Sequence, residues 1–247
     1  MKCVPKIDAA YWTSLSLASV FGANAGDFIA DVVHLGHLSG IPYLAGCLAA
    51  VFIIERSAPR PSALYYWIAI IIIRASATNI GDVFHDFRVG FPYSVPFTIV
   101  LLIMSVAIWR IARPSDDAGN FLPVNGFYWM SMFLAGVAGT VGGDATSYGV
   151  GLGNAGATLA LGAPLALVLL LGRNGLLTRL YYYWFTVALI RAAGTAAGDW
   201  LAHGYIGLKA ATALSGAVFF AFILFTYRPS KRNIRSGGSA AVVVTER

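Results

Sequence analysis

Residues 11–27 read Tyr-Trp-Thr-Ser-Leu-Ser-Leu-Ala-Ser-Val-Phe-Gly-Ala-Asn-Ala-Gly-Asp, an apolar stretch that opens on an aromatic pair and closes on a carboxylate. The frame returns at Tyr66-Trp67 with Gly81-Asp82, Tyr128-Trp129 with Gly143-Asp144, and Tyr183-Trp184 with Gly198-Asp199, always with fifteen residues from Trp to Asp. A small residue stands four before each of these glycines: Gly22, Ala77, Gly139 and Gly194. A five-point pattern that recurs four times without a slip is an internal repeat, and it puts an ionisable group at one place in each copy.

The chain is 58% hydrophobic and 11% charged, against roughly 45–50% and about 25% for a soluble domain. Apolar runs cover 11–33, 65–87, 127–148 and 181–203, alternating with 40–54, 92–109, 155–172 and 206–226. A bilayer span needs roughly 20 residues. The composition therefore predicts an all-α polytopic membrane bundle of eight transmembrane helices. The run at 40–54 reaches full length only by taking in the turn around Pro42.

Charge supports the same reading. Thirteen of the seventeen Lys and Arg fall in the N-terminus, in every second loop or in the tail: Lys2, Lys6, Arg56, Arg60, Arg110, Arg113, Arg173, Arg179, Arg228, Lys231, Arg232, Arg235 and Arg247. That is the positive-inside pattern, and it predicts both termini in the cytoplasm. The basic balance thus belongs to topology and not to nucleic acid. Cys3 and Cys47 offer neither a disulfide framework nor a metal motif, and no signal-peptide cleavage site follows the first apolar run.

The four Trp lie 55, 62 and 55 residues apart, so copies one and three, like copies two and four, are separated by 117. The longer step holds the polar linker 114–120. Two halves are expected, 1–117 and 118–228, each of two helical hairpins, with a disordered cytoplasmic tail at 229–247. Each unit has an even number of spans, so all copies enter the membrane in one direction, related by axes along its normal. Four copies around one axis would bring the Gly-Asp pairs to one depth.

Tyr-Trp pairs favour the headgroup level and are expected to anchor each helix at the cytoplasmic interface. Fifteen residues then place each Asp about 22 Å deeper, at 1.5 Å per residue. The small-xxx-Gly step suits close helix packing, and the alternative is a helix break that frees carbonyls. Six of the eleven acids belong to the motif: Asp27, Asp31, Asp82, Asp86, Asp144 and Asp199. Four residues beyond each motif Asp stand Asp31, Asp86, Tyr148 and His203, sharing its helical face. His34 and His85 extend that face. Asp27, Asp31, His34, Asp82, His85 and Asp86 are accordingly the candidate metal ligands.

Buried acids in a membrane face a bundle interior or a wet cavity. Asp31, Asp86 and His203 can instead be solvated helix ends. Arg74 and Arg191 each lie eight residues before a motif Asp, once per half, where copies one and three have Ser19 and Gly136. Snorkelling, a structural ion pair with an Asp, and an anion or switching site are the readings open for them. Asn24 and Asn79 precede the first two Asp by three residues, and Val141 and Ala196 replace them in the other half. Arg88 and Lys209 read as surface charges outside the membrane.

Lys2, Val4-Pro5 and Ile7 ahead of Trp12, with the Gly-Asp-x-x-x-Asp stretch of Gly26, Asp27 and Asp31, resemble a bacterial family of multi-repeat membrane proteins. That family is the repeat known as domain of unknown function 347. The resemblance implies a polytopic protein of the bacterial inner membrane and no established activity. Copy three departs from it, with Tyr148 in place of the second Asp.

The expected function is secondary transport of a cation, a divalent metal ion foremost, coupled to protons through the Asp/His cluster. Carboxylates and imidazoles suit Mn²⁺ or Zn²⁺ better than Cu⁺. An anion transporter using Arg74 and Arg191 is the alternative, as is an intramembrane zinc hydrolase; the chain is otherwise expected to be no enzyme. Its partners are the lipid bilayer, a small ion or small-molecule substrate, and a second copy in a homodimer.

Overall fold

The computed structural model describes residues 1, 3–111, 124–172 and 180–227, with only the backbone described for His85, Asp86 and Leu180. Eight α-helices occur among the described residues: α1 Ala9–Asp27, α2 Ile41–Ser57, α3 Ala63–Asp86, α4 Phe91–Ile111, α5 Gly126–Asp144, α6 Gly153–Leu171, α7 Leu180–Leu201 and α8 Leu208–Thr226. The linker 114–120 and the tail 229–247 lie outside the described residues. Asp8 starts α1 and Asn125 starts α5, each side chain accepting the Tyr N–H three residues on at 3.0 Å. Pro42 sits in the first turn of α2, where its missing N–H costs nothing.

The helices that carry the Tyr-Trp pairs, α1, α3, α5 and α7, pack in cyclic order, and α7 closes on α1. The intervening helices stand outside this ring. Here α2 packs on α3, α4 on α5, α6 on α7 and α8 on α1, so each outer helix leans mainly on the next unit's inner helix. Strands of contact therefore run across both expected halves, through α3 with α5 and α7 with α1.

Close approach within the ring comes from the small-xxx-Gly step. A Cβ at Gly22 would lie 2.5 Å from Arg74 Cγ, and one at Gly26 would lie 2.8 Å from the Ala75 carbonyl. On the following helices, Gly81 meets Thr140 at 2.6 Å and Gly143 meets Thr195 at 2.9 Å. Gly139 and Gly194 receive Arg191 and Ser19 in the same manner. Each inner helix offers a groove of two small residues, and its neighbour fills it with the residues eight and twelve after its own Tyr. The helices run unbroken through Gly-Asp, so packing accounts for these glycines.

Irregularity begins just after the Asp. Phe28–Val32, Ala145–Gly149 and Ala202–Ile206 are single π-helical turns that continue α1, α5 and α7, whereas α3 runs on as α-helix to Asp86.

Outward, the surface is apolar. Ala63–Phe84, Phe91–Ile111, Gly153–Leu171 and Leu208–Thr226 are long and apolar enough to cross a membrane, by length and composition. Only 6% of the α6 window is buried, and Ile111, Leu159 and Phe225 stand open. An apolar face of this extent is compatible with a lipid surrounding. The other four expected spans are helices too, but α2 has 17 residues. On α1, α5 and α7, the Ser, Thr and Gly that face the ring lower the apolar content.

Gly26→Ala is expected to cost about 1–3 kcal/mol by overpacking, read as a lower thermal midpoint in detergent. Gly142→Ala on α5, whose Cβ would meet nothing within 4 Å, is expected to leave the midpoint unchanged or higher.

Candidate functional site

Down the ring axis the inner helices present one layer every four residues. The first is a closed circuit of phenols. Tyr11 and Tyr66 hydroxyls lie 3.0 Å apart, Tyr66 and Tyr128 2.6 Å, Tyr128 and Tyr183 3.1 Å, and Tyr183 and Tyr11 2.7 Å. All four side chains are fully buried. Each hydroxyl can donate to one neighbour and accept from the other, so the circuit satisfies every member.

Every Trp packs in a tilted arrangement against the Tyr of the preceding inner helix, with centroids 5.5 Å apart for Trp12 and Tyr183, 5.6 Å for Trp67 and Tyr11, 5.6 Å for Trp129 and Tyr66, and 5.8 Å for Trp184 and Tyr128. The expected interfacial anchoring is thus corrected. The phenols find their partners on the axis and need no water, and Trp12, Trp67 and Trp184 are buried around them. Behind the quartet, Leu15, Ile70, Met132 and Val187 form a fully buried apolar plug.

The next layer holds Ser19, Arg74, Gly136 and Arg191, and both arginines are fully buried. Arg74 donates from Nη1 to Thr78 Oγ1 at 2.6 Å and Thr140 Oγ1 at 3.0 Å, and from Nη2 to Thr195 Oγ1 at 2.6 Å. Its Nε reaches Ser19 Oγ at 3.4 Å. Arg191 has Nη2 4.0 Å from Met132 Sδ, while its Nε and Nη1 have no hydrogen-bond partner. Snorkelling and the Arg–Asp ion pair both fail as accounts. Among the described residues neither guanidinium is paired with a carboxylate; that of Arg74 reaches the level of Thr78, Thr140 and Thr195, one turn short of the motif Asp. Threonine hydroxyls take their place. Sequence reasoning passed over Thr78, Thr140 and Thr195, although all three stand twelve residues after a motif Tyr.

Asp27, Asp82, Asp144 and Asp199 form the last layer. Asp199 is 8% exposed and the others are half-buried. Asp27 interacts electrostatically with Asp82 and Asp199, and Asp144 with Asp82 and Asp199, which makes a ring of carboxyls. The ring sits near the C-terminal ends of the inner helices, at the last residue of α1 and α5, two residues before the end of α7 and four before the end of α3. Helix C-termini carry partial negative charge, so the level is doubly short of cations. Asn24 and Asn79, one turn before, are fully buried, and neither Oδ1 nor Nδ2 has a partner in either amide.

Among the described i+4 partners, Asp31, Tyr148 and His203 do not join this ring. Asp31 has a side chain 61% exposed, and His34 and His203 are exposed as well. The physical reason is the π-helical turn. This turn (i→i+5 bonding) closes each of the three helices beyond its Asp, so Asp31, Tyr148 and His203 stand at the exposed loop end and not in the packed ring, and His34 turns farther away at φ +60°. The side chains of His85 and Asp86 lie outside the described residues. Among the described residues no three or more His, Cys, Asp or Glu are arranged to hold a metal ion, so the expected ligand set Asp27, Asp31, His34 and Asp82 is not brought together.

His37, which the repeat frame does not contain, comes closest. Its Nδ1 is 3.5 Å from Asp82 Oδ2 and its Nε2 3.8 Å from Asp31 Oδ1. Arg88 and Lys209 are exposed, as expected. Arg88 also borders a cavity of about 580 Å³, lined with Gly81, Phe84, Phe91, Ser94 and Asp144, which reaches the carboxyl level at Asp144.

An all-helical chain with apolar, membrane-compatible helices and a repeated buried motif is the class these features define. The family model described as Repeat of Unknown Function (DUF347) matches residues 10–60 and 182–232, the segments of α1 with α2 and of α7 with α8. The chain therefore carries the repeat of that family, as its Gly-Asp motifs implied. No curated protein and no solved structure matches it.

Tyr66→Phe removes two bonds of the quartet and leaves the Tyr11 and Tyr128 hydroxyls one partner each. A loss of about 1–3 kcal/mol is expected, measured by denaturant unfolding in micelles. The fourfold Phe variant is expected to recover part of it, since no hydroxyl is then left half-satisfied.

Proposed function

We propose that the protein is a multi-pass membrane bundle of four two-helix units and works as a secondary transporter for a cation. One observation carries the reading: four carboxyls, one from each inner helix, share a single level, and a cavity reaches that level at Asp144. On one side of that level the axis is shut by two guanidiniums, an apolar layer and the tyrosine quartet. A site that a cavity reaches and that is sealed on one side is the shape that alternating access requires.

Charge indicates the cargo. Four carboxylates against the guanidiniums of Arg74 and Arg191 leave two negative charges on the axis, which one divalent cation or two protons would neutralise. Exchanging one for the other moves cargo without stranding charge in a medium of low dielectric. Oxygen donors from Asp, with Asn79 beside them, suit a hard divalent ion such as Mn²⁺. Following the positive-inside pattern, the carboxyl end faces away from the cytoplasm.

One observation favours a second reading. The buried Arg191, with Nε and Nη1 unpartnered, suits an anion as cargo. Nothing among the described residues supports the hydrolase, which needs three protein ligands around a metal.

Proteoliposomes holding the protein are expected to take up Mn²⁺ with release of protons. Asp82→Asn and Asp199→Asn are each expected to bring uptake to background with the size-exclusion profile unchanged. Full uptake by the double Asp variant sinks the cation reading. Loss of uptake only in Arg191→Gln, with phosphate or sulfate raising the thermal midpoint of the wild type, would favour the anion.

A further inference from the structure

What breaks the four-copy pattern at the carboxyl level gathers around the end of α1. Asn24, on α1, leans against α7, where a Cβ at Gly198 would lie 2.8 Å from its Oδ1. Asn79, on α3, leans against the other flank of α1, its Oδ1 3.1 Å from the Cβ position of Gly26. Both amides are fully buried and have no hydrogen-bond partner.

The first loop converges on the same place. Helix α2 starts fourteen residues after Asp27, whereas α4, α6 and α8 each start nine residues after their Asp. Left-handed backbone at His34 (φ +60°) and Gly36 (φ +72°) folds this longer loop back. Gly40 then rests on Asn79, its Cβ position 3.4 Å from Nδ2, and His37 Nδ1 comes to 3.5 Å from Asp82 Oδ2. The two imidazole nitrogens face two different carboxyls, so His37 ties the first loop to the carboxyl level at Asp82 and to Asp31 at the loop's start.

Folding does not need these amides. A buried polar group without a partner costs about 1–3 kcal/mol, and the same repeat positions hold Val141 and Ala196 in the other half, equally buried. A costly polar group kept where the fold accepts an apolar one marks a functional position.

We propose that the cargo binds off the axis, beside the last turn of α1, held by Asp27, Asp82 and the amide oxygen of Asn79, with the first loop as its roof and with Asn24 on the opposite flank of α1, outside the site. This rests on the cation-transport reading and makes it more specific. Only the α1–α3 half of the ring binds, and Asp144 and Asp199 balance charge from the other half. Carboxylate and amide carbonyl oxygens together are the donors of a hard divalent cation.

The repeat itself supplies the test, Asn24→Val with Asn79→Ala, in the full-length protein in detergent with Mn²⁺ as probe. The metal-free thermal midpoint is expected to hold or rise, while Mn²⁺ binds about tenfold more weakly or worse, read as a smaller midpoint shift. Val141→Asn with Ala196→Asn is expected to lower the metal-free midpoint and to add nothing to the Mn²⁺ shift. Should the first double variant not purify, Asn79→Ala alone is expected to show the same opposed signs. A lower metal-free midpoint in the Asn variants would make the amides structural and overturn the proposal. An unchanged Mn²⁺ shift there, with Asp82→Asn still abolishing it, overturns the off-axis site and leaves transport standing. No Mn²⁺ shift or uptake in the wild type overturns both.

Discussion

Everything on the axis depends on how closely four helices approach it. The small-xxx-Gly step sets that distance by removing side chain from each inner helix where its neighbour must enter. With larger residues there, the phenols could not reach each other at 2.6–3.1 Å. Nor could a single Arg74 bond hydroxyls from its own helix and from both α5 and α7. Close packing is thus what turns a repeated motif into stacked layers. The outer helices lock the ring because each one bears on the next unit.

That closeness has an electrostatic consequence. Arg74, fully buried and paired with no carboxylate among the described residues, is held by neutral hydroxyls, which satisfy donors without cancelling charge, while Arg191 keeps Nε and Nη1 without partners. Carboxyls crowd one turn beyond, near the negative ends of helices. Among the described residues, the bundle so keeps positive and negative charge unpaired on one axis. Such an unpaired arrangement costs stability, and it favours a reading in which ions come and go over one in which the charges simply pack.

Much of this was legible in residue order. Eight helices, the equal depth of the four Asp, the packing use of the glycines and the special places of Arg74, Arg191, Asn24 and Asn79 follow from spacing alone. The environment of the Tyr-Trp pairs was not legible. An amphipathic ring is equally at ease at a headgroup or in a satisfied hydrogen-bonded circuit, and spacing along one helix does not say whether three partners converge on it. The i+4 argument failed at Asp31, Tyr148 and His203 for a local reason, a π-helical turn that follows the Asp in three units and has no clear mark in composition.

Order along the chain determined the repeat, its period and which residues share a helix face, because these depend only on 3.6-residue geometry and hydrophobic content. Tertiary structure alone decided that the faces turn inward around a closed ring and that the threonines serve Arg74. It also decided that a longer first loop brings His37 to Asp82. Those outcomes rest on contacts between residues 45 to 172 apart in the chain, which no local pattern encodes. The motif therefore names the groups, and the closing of α7 on α1 gives them one another as partners.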